Sequence, residues 1–299
     1  MKDLIILGNG MAGMTAALYA KRANLDFKIV GKDEFDFGQI GNAILVENFP
    51  CAASQSGFEL AMNLHDQLEA NDIKIEEHTV EFIFEDGEGF IVEYEDKTKD
   101  RAKSIIYALG ASHRELEFES NVNDVTVHYC ALCDGSLYKN KTVAVIGGGD
   151  VAFTQAEYLS KICSNVYVIM CDKNVTAAPA TFDRVNKLEN VKIVYNFPVT
   201  DINKQENGMY ILGSKNIRGF YLVNGIFIAI GMIPNVNPVH FLPLKVTPMG
   251  IVATENGDTG YEGFFVAGDI RMKNVRQGLT AAADGANAVN SVINYLKGK

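Results

Sequence analysis

The sequence predicts an α/β protein made of two similar units, the second inserted into the first. Residues 4–13, LIILGNGMAG, and 143–152, VAVIGGGDVA, each run from an apolar strand through a glycine turn into a helix of small residues. A buried-strand run ending at glycine follows each of them, SIIYALGA at 104–111 and GIFIAIGM at 225–232. The closing segment EGFFVAGDIRMKNVRQGLTAAADGANAVNSVINYL adds a strand and a long helix, which has nothing to pack on unless it returns to the first unit. The expected boundaries are therefore 1–114 with 243–299, and 115–242.

The first glycine turn, GNGMAG, supplies Gly8, Gly10 and Gly13 in the G-x-G-x-x-G spacing of a Rossmann-like dinucleotide unit. Gly8 permits the tight turn, Gly10 lets the backbone approach a pyrophosphate, and Gly13 allows close strand–helix packing. The anion then sits at the helix N-terminus. The helices are expected near 11–22 and 151–162. An acid about 20 residues on should meet a ribose, and Asp33 and Glu34 lie at that distance. The alternating segments TVEFIF with GFIVEYE, and KIVYN with GMYILGS, are expected to pair as small antiparallel additions, giving two units of three-layer ββα type.

Within the second unit, before its glycine turn, lies HYCALCDG, with Cys130 and Cys133 in C-x-x-C spacing and Asp134 directly after. A zinc site needs a second ligand pair, and Cys51, Cys163 and Cys171 offer no matching C-x-x-C, so no metal site is expected. Two inert buried thiols would leave the spacing and the adjacent acid to chance. A redox dithiol uses both, because the spacing lets the sulfurs bridge and a neighbouring acid moves the protons that exchange requires. The other three cysteines are expected as packing residues.

Composition narrows the class further. The 299 residues carry a net charge of −10, which argues against nucleic acid. The longest apolar run, around GIFIAIGMI, is too short to span a bilayer. Met-Lys-Asp leads straight into LIILGNG without a secretory pattern, and five cysteines are an odd count. A cytoplasmic protein is expected, with any disulfide transient.

In order, GNGMAG, GQIGNAILVENFP, YALGASHREL, CALCDG, VIGGGDVA, AIGMIPN and FVAGDI…RQGLTAAADGANA resemble the low-molecular-weight thioredoxin reductases over nearly the whole chain. The resemblance implies an oxidoreductase with FAD in the first unit, a redox-active disulfide in the second, thioredoxin as partner and a homodimer. By position, FAD would lie against Gly8, Gly10, Met11, Ala12, Gly13, Gln39, Asn48, the backbone near Val80, and Ala108, Gly110 and Ala111. Gly268 and Asp269 would hold the ribitol chain, with Arg276 and Gln277 near the ring. The helix starting near Arg276 would aim its positive end at the flavin. Cys133 would be the flavin-side sulfur, Cys130 the one that attacks the partner's disulfide, and Asp134 the acid/base.

The stretch after the second glycine turn departs from the family pattern. NADPH-using members end the next strand with HRR and place another Arg shortly after. Here those positions read Met170, Cys171, Asp172 and Thr176. A carboxylate where a guanidinium should meet a phosphate reverses the sign of the contact. NADPH is therefore not expected to bind well, and Asp172 is at best a loose match for an NADH ribose acid. The resemblance is closest to the ferredoxin-dependent flavin thioredoxin reductases, which lack this signature, so reduced ferredoxin is the expected donor. The alternative is a reductase using NADH or NADPH. Because ferredoxins are usually acidic, Arg271, Lys273 and Arg276 are expected to form a local basic patch.

Overall fold

A computed structural model describes residues 1–298. The chain divides into two compact units, residues 1–112 with 233–299 and residues 113–232. The second crossing thus falls before 243. The reason is that Val239 and Leu242 are buried in the core of the first unit, so the stretch after Met232 belongs to it.

The first unit opens with β1 (Lys2–Leu7), α1 (Met11–Arg22), β2 (Phe27–Gly31), α2 (Gly57–Glu69) and β3 (Ile75–Glu77). A meander follows, β4 (Val80–Glu85), β5 (Phe90–Tyr94) and β6 (Lys99–Tyr107), and then β7 (Ala111–His113). The second unit carries α3 (Ala131–Asp134), β8 (Thr142–Ile146), α4 (Asp150–Ser160), β9 (Asn165–Ile169), α5 (Pro179–Val185) and β10 (Val191–Val194). It ends through β11 (Asp201–Lys204), β12 (Tyr210–Ser214), β13 (Ile217–Val223) and β14 (Gly225–Ile228), and β15 (Met232–Pro234) carries the chain back into the first unit. The chain closes in the first unit with β16 (Val246–Thr247), β17 (Gly250–Ile251), β18 (Phe264–Val266) and α6 (Gly278–Lys297).

The first sheet runs β3-β2-β1-β6-β5-β4. The long β6 explains its layering. Along one edge it pairs antiparallel with β5 over its first residues and parallel with β18 over its last, so the meander peels away from the parallel sheet. Alternation along β1 feeds two cores. Leu4 and Ile6 pack under the helices, while Ile5 and Leu7 pack beneath the meander. A strand buried on both faces reads as a continuous apolar run, which is how LIIL appears. The C-terminal helix α6 packs on α1, and a side-chain carbon on Gly285 would lie 2.2 Å from the Ala12 carbonyl oxygen.

The second unit repeats the plan with a parallel sheet β10-β9-β8-β14 and an antiparallel sheet β11-β12-β13. The expected pairing of KIVYN with GMYILGS does not occur. The first of these forms β10, parallel to β9, and the antiparallel partners of β12 are β11 and β13. The apolar residues of KIVYN cannot distinguish a parallel edge strand from a hairpin arm. Both glycine-turn helices form near the expected places, and the helix expected near Arg276 begins at Gly278.

Candidate active site

The first glycine turn is built for close approach. Gly8 sits at φ 111° with no room for a side chain, since a Cβ would fall 2.3 Å from the Ala108 carbonyl oxygen. A Cβ on Gly13 would lie 1.7 Å from the Gly8 carbonyl oxygen, so strand, turn and helix can touch only as glycines. Helix α1 begins at Gly10 with no side-chain cap and no acid in its first turn. Its N–H groups and positive end are left for an anion. Met11 and Ala12 form the buried first turn of that helix. Ala12 faces Gly268, where a Cβ would lie 2.9 Å from the Ala12 Cβ, and Gly268 takes φ 80°.

The remaining expected positions are arranged by local bonds. Asn9, a buried residue that sequence reasoning did not single out, donates from Nδ2 to the carbonyl oxygens of Asp33 (2.8 Å) and Glu34 (3.3 Å). It ties the loop after β2 to the glycine turn. The Asp33 carboxylate accepts from the Phe35 N–H at 2.8 Å, and Glu34 Oε1 stands 3.2 Å from His65 Nε2. Gln39 donates to the Ala111 carbonyl (3.3 Å) and Asn48 to the Gln277 side chain (3.0 Å). Gly110 takes φ 61° in the turn leading to Ala111. Val80 opens β4 and packs, partly buried, against the core beneath the meander.

After β18 the chain carries a charged cluster. Asp284 accepts from Arg271 Nη2 (2.8 Å), Lys273 Nζ (2.9 Å) and the Gly268 N–H (3.1 Å). Lys273 is 6% exposed and Arg271 13%, so these two cations are consumed internally and do not form the expected basic patch. Sequence proximity could not reveal this, because Asp284 comes from the following helix. Asp269 Oδ1 is buried with no hydrogen-bond donor among the described residues, and Lys273 Nζ stands 3.5 Å away. Burial holds the Asp269 carboxyl above its ordinary range despite the nearby Lys273 and Arg276. Arg276 donates to the Met249 carbonyl, while its buried Nε has no hydrogen-bond partner among the described residues.

These features fit FAD. A helix end without cap or acid suits a pyrophosphate, glycines leave space beside it, and the unpaired Asp269 oxygen suits a hydroxyl donor such as a ribitol chain.

In the second unit Cys130 and Cys133 form a disulfide with Cα atoms 5.4 Å apart. Cys130 caps α3, and its sulfur accepts the Cys133 N–H at 3.1 Å. A donor placed on that sulfur favours its thiolate once the bond opens. Asp134 Oδ2 lies 2.9 Å from His128 Nδ1, and His128 Nε2 lies 2.7 Å from the Tyr138 hydroxyl. Neither His128 nor Tyr138 was expected from the sequence. The spacing H-x5-D was the one available signal, and an isolated histidine carries little weight. Cys163 is buried, and burial pushes its thiol up to about 11. Cys51 and Cys171 are exposed, so the expectation that all three pack in the interior fails for these two. Cys51 occupies a loop and Cys171 lies two residues past the end of β9, both outside the cores.

The second glycine turn is arranged differently from the first. Helix α4 has Asp150 in its first turn, and the Asp150 carboxylate accepts the Ala178 N–H at 2.7 Å. The Thr176 N–H donates to the Gly148 carbonyl at 2.9 Å, and its hydroxyl does so at 3.3 Å. A Cβ on Gly148 would lie 2.7 Å from the Met170 methyl. Asp172 accepts the Asn174 N–H at 2.6 Å. Residues 170–178 thus fold back on the turn, bringing the Met170 methyl group and one carboxylate, Asp172, to a turn whose helix already carries Asp150.

A two-unit nucleotide fold carrying a dithiol beside an acid defines the class of flavoprotein disulfide reductases. Residues 2–285 match the family described as pyridine nucleotide-disulphide oxidoreductase, and the chain belongs to that family. Within it, the chain is 34% identical over 296 residues to a thioredoxin reductase of Mycoplasma genitalium, covering 97% of this chain and 94% of that one. It is similar to the crystal structure of Lactococcus lactis thioredoxin reductase, with TM-score 0.92, 29% identity and all of both chains covered. It is also similar to a ferredoxin-flavin thioredoxin reductase from Clostridium acetobutylicum, with TM-score 0.56, 25% identity, and 99% and 98% of the two chains covered. No helix among the described residues is long and apolar enough to cross a membrane.

Proposed function

We propose that this chain reduces thioredoxin in the cytoplasm through the Cys130–Cys133 disulfide, with electrons supplied by reduced ferredoxin. FAD would rest on Gly8, Gly10, Met11, Ala12 and Gly13, with Asp269 on its ribitol, and would supply the electron pair that opens the disulfide. Cys130, freed as a thiolate beside the Cys133 N–H, would attack the thioredoxin disulfide, and Asp134 would carry the proton. Cys133 would then displace the mixed disulfide. The working unit is a homodimer, as in the resembling family.

The donor assignment rests on one observation. Residues 170–178 close on the second glycine turn through Thr176 and Ala178, and by the family pattern Asp172 takes the place of an arginine that would meet a nucleotide phosphate. A nicotinamide nucleotide is the second reading. It is favoured by the family's description and by the stronger similarity to enzymes named simply thioredoxin reductase.

Thioredoxin reduction by the flavin-loaded protein tests the whole route, assayed anaerobically with ferredoxin, NADH and NADPH in turn. Ferredoxin alone should support turnover, and Cys130→Ser should abolish it while retaining flavin. Turnover by Cys130→Ser would refute the cysteine assignment, and turnover on NADPH would refute the donor.

A further inference from the structure

We propose that His128 is a positioning residue for Asp134, with Tyr138 fixing the far side of the imidazole. The three side chains form one hydrogen-bonded chain that leaves Asp134 Oδ1 as the proton-carrying oxygen at the dithiol. The inference rests on the reading that Cys130–Cys133 opens and closes during turnover.

His128 is fastened on every side. Its backbone N–H donates to the Ile226 carbonyl at 2.9 Å, and its carbonyl accepts the Ile228 N–H at 2.7 Å. Its ring lies 5.2 Å from the Phe227 ring and is 9% exposed as a residue. Tyr138 packs on the same strand. A Cβ on Gly225 would fall 2.4 Å from the Tyr138 ring, and Phe227 meets that ring edge-on at 5.7 Å. Glycine at 225 and an aromatic at 227 thus form the shelf on which the pair is set.

Hydrogen-bond chemistry orders the chain. An ionised carboxylate only accepts, so His128 Nδ1 carries the hydrogen facing Asp134. In the neutral ring Nε2 then accepts from the Tyr138 hydroxyl, the single donor of that side chain. The titratable and charged groups against this chain are Asp134 from α3, Tyr138 from the turn after it, and Lys141, whose Nζ stands 5.7 Å from the Tyr138 ring centre. Tyr210 acts on Tyr138 from β12, and burial holds the Tyr138 hydroxyl above its ordinary range, which keeps it a donor.

The consequence for exchange can be written for a small dithiol. Asp134 takes the proton of the attacking thiol on Oδ1, and that sulfur bonds to one cysteine sulfur. The S–S bond breaks, and the other cysteine leaves with the electron pair and receives the proton from Oδ1. The second thiol repeats the transfer and releases the first cysteine as a thiol. The dithiol ends oxidised and the pair ends as two thiols. With Oδ2 held by His128, each transfer starts from one carboxylate rotamer.

The test uses the full chain and dithiothreitol, which needs no donor protein and no flavin turnover. The rate of Cys130–Cys133 opening is followed by quenched alkylation and mass spectrometry across pH 5–9. Removing a positioned acid or base costs about 100-fold or more, so Asp134→Asn should lose about that factor. His128→Phe should lose about tenfold and flatten the pH profile, whereas His128→Asn, which keeps a donor near the Nδ1 position, should recover most of the rate. Tyr138→Phe should lose about twofold. In the Asp134→Asn background His128→Phe should cost nothing further, because the two act as one unit. Equal rates for His128→Phe and the parent would overturn the proposal. So would an additive loss in the Asp134→Asn background, or no recovery in the folded His128→Asn protein. Should thioredoxin reduction itself prove absent, this exchange assay still reads the carboxylate's role.

Discussion

At the residue scale, chemistry-bearing positions fall into those announced by local spacing and those assembled from distant strands. Cys130, Cys133 and Asp134 fall within five consecutive residues, so their association was legible. His128 and Tyr138 depend on Gly225 and Phe227 across the sheet, which no spacing reveals. Arg271 and Lys273 were misjudged for the same reason, since their partner Asp284 lies on another element. A comparable long-range knot links Lys28 to Asp100 at 2.7 Å and Glu76 at 2.6 Å, with the Tyr94 hydroxyl donating to Asp100 at 2.9 Å. Burial pushes the Asp100 carboxyl up, but the bonds from Lys28 and Tyr94 outweigh it and hold the group below its ordinary range. A depressed folded-state value gives stability above the unfolded value near 4, lost as pH falls through the lower folded value. Asp100→Asn should therefore cost about 1 kcal/mol at pH 7 in urea unfolding. The gap to the parent should begin to close near pH 4 and vanish once pH falls below the lowered folded-state value. A gap that persists below that value would show that packing, not charge, is lost.

At the element scale, the glycine turns and their helices were legible because a continuous apolar run meeting glycine has few structural alternatives. The pairing of KIVYN was not, because a short apolar run fits either a parallel edge or a hairpin. Helix α6 was expected on the first unit from length alone, and the structure supplies the means at Gly285, whose missing side chain lets α6 touch α1. Gly285→Ala should force the helices apart and cost about 1–3 kcal/mol, as overpacking does. Chemical denaturation of the apoprotein would measure it, and an unchanged midpoint would show that the contact is looser than drawn.

At the scale of the whole molecule, fold and family were legible, and the electron donor was less so, because it depends on what residues 170–178 do rather than on which motif they break. The chain carries −10, and two of its three candidate docking cations are turned inward. An acidic ferredoxin would meet repulsion at long range. Raising salt from low to physiological strength, where the screening length shortens to about 8 Å, should speed ferredoxin-linked turnover. A rate that falls with salt would instead mark a basic docking patch. Anaerobic titration of the bound flavin's absorbance with reduced ferredoxin, NADH and NADPH in turn tests the central claim most directly. Bleaching by ferredoxin alone is the result expected from residues that close on the second glycine turn. Rapid bleaching by NADPH or NADH would contradict it and assign a nicotinamide nucleotide as donor.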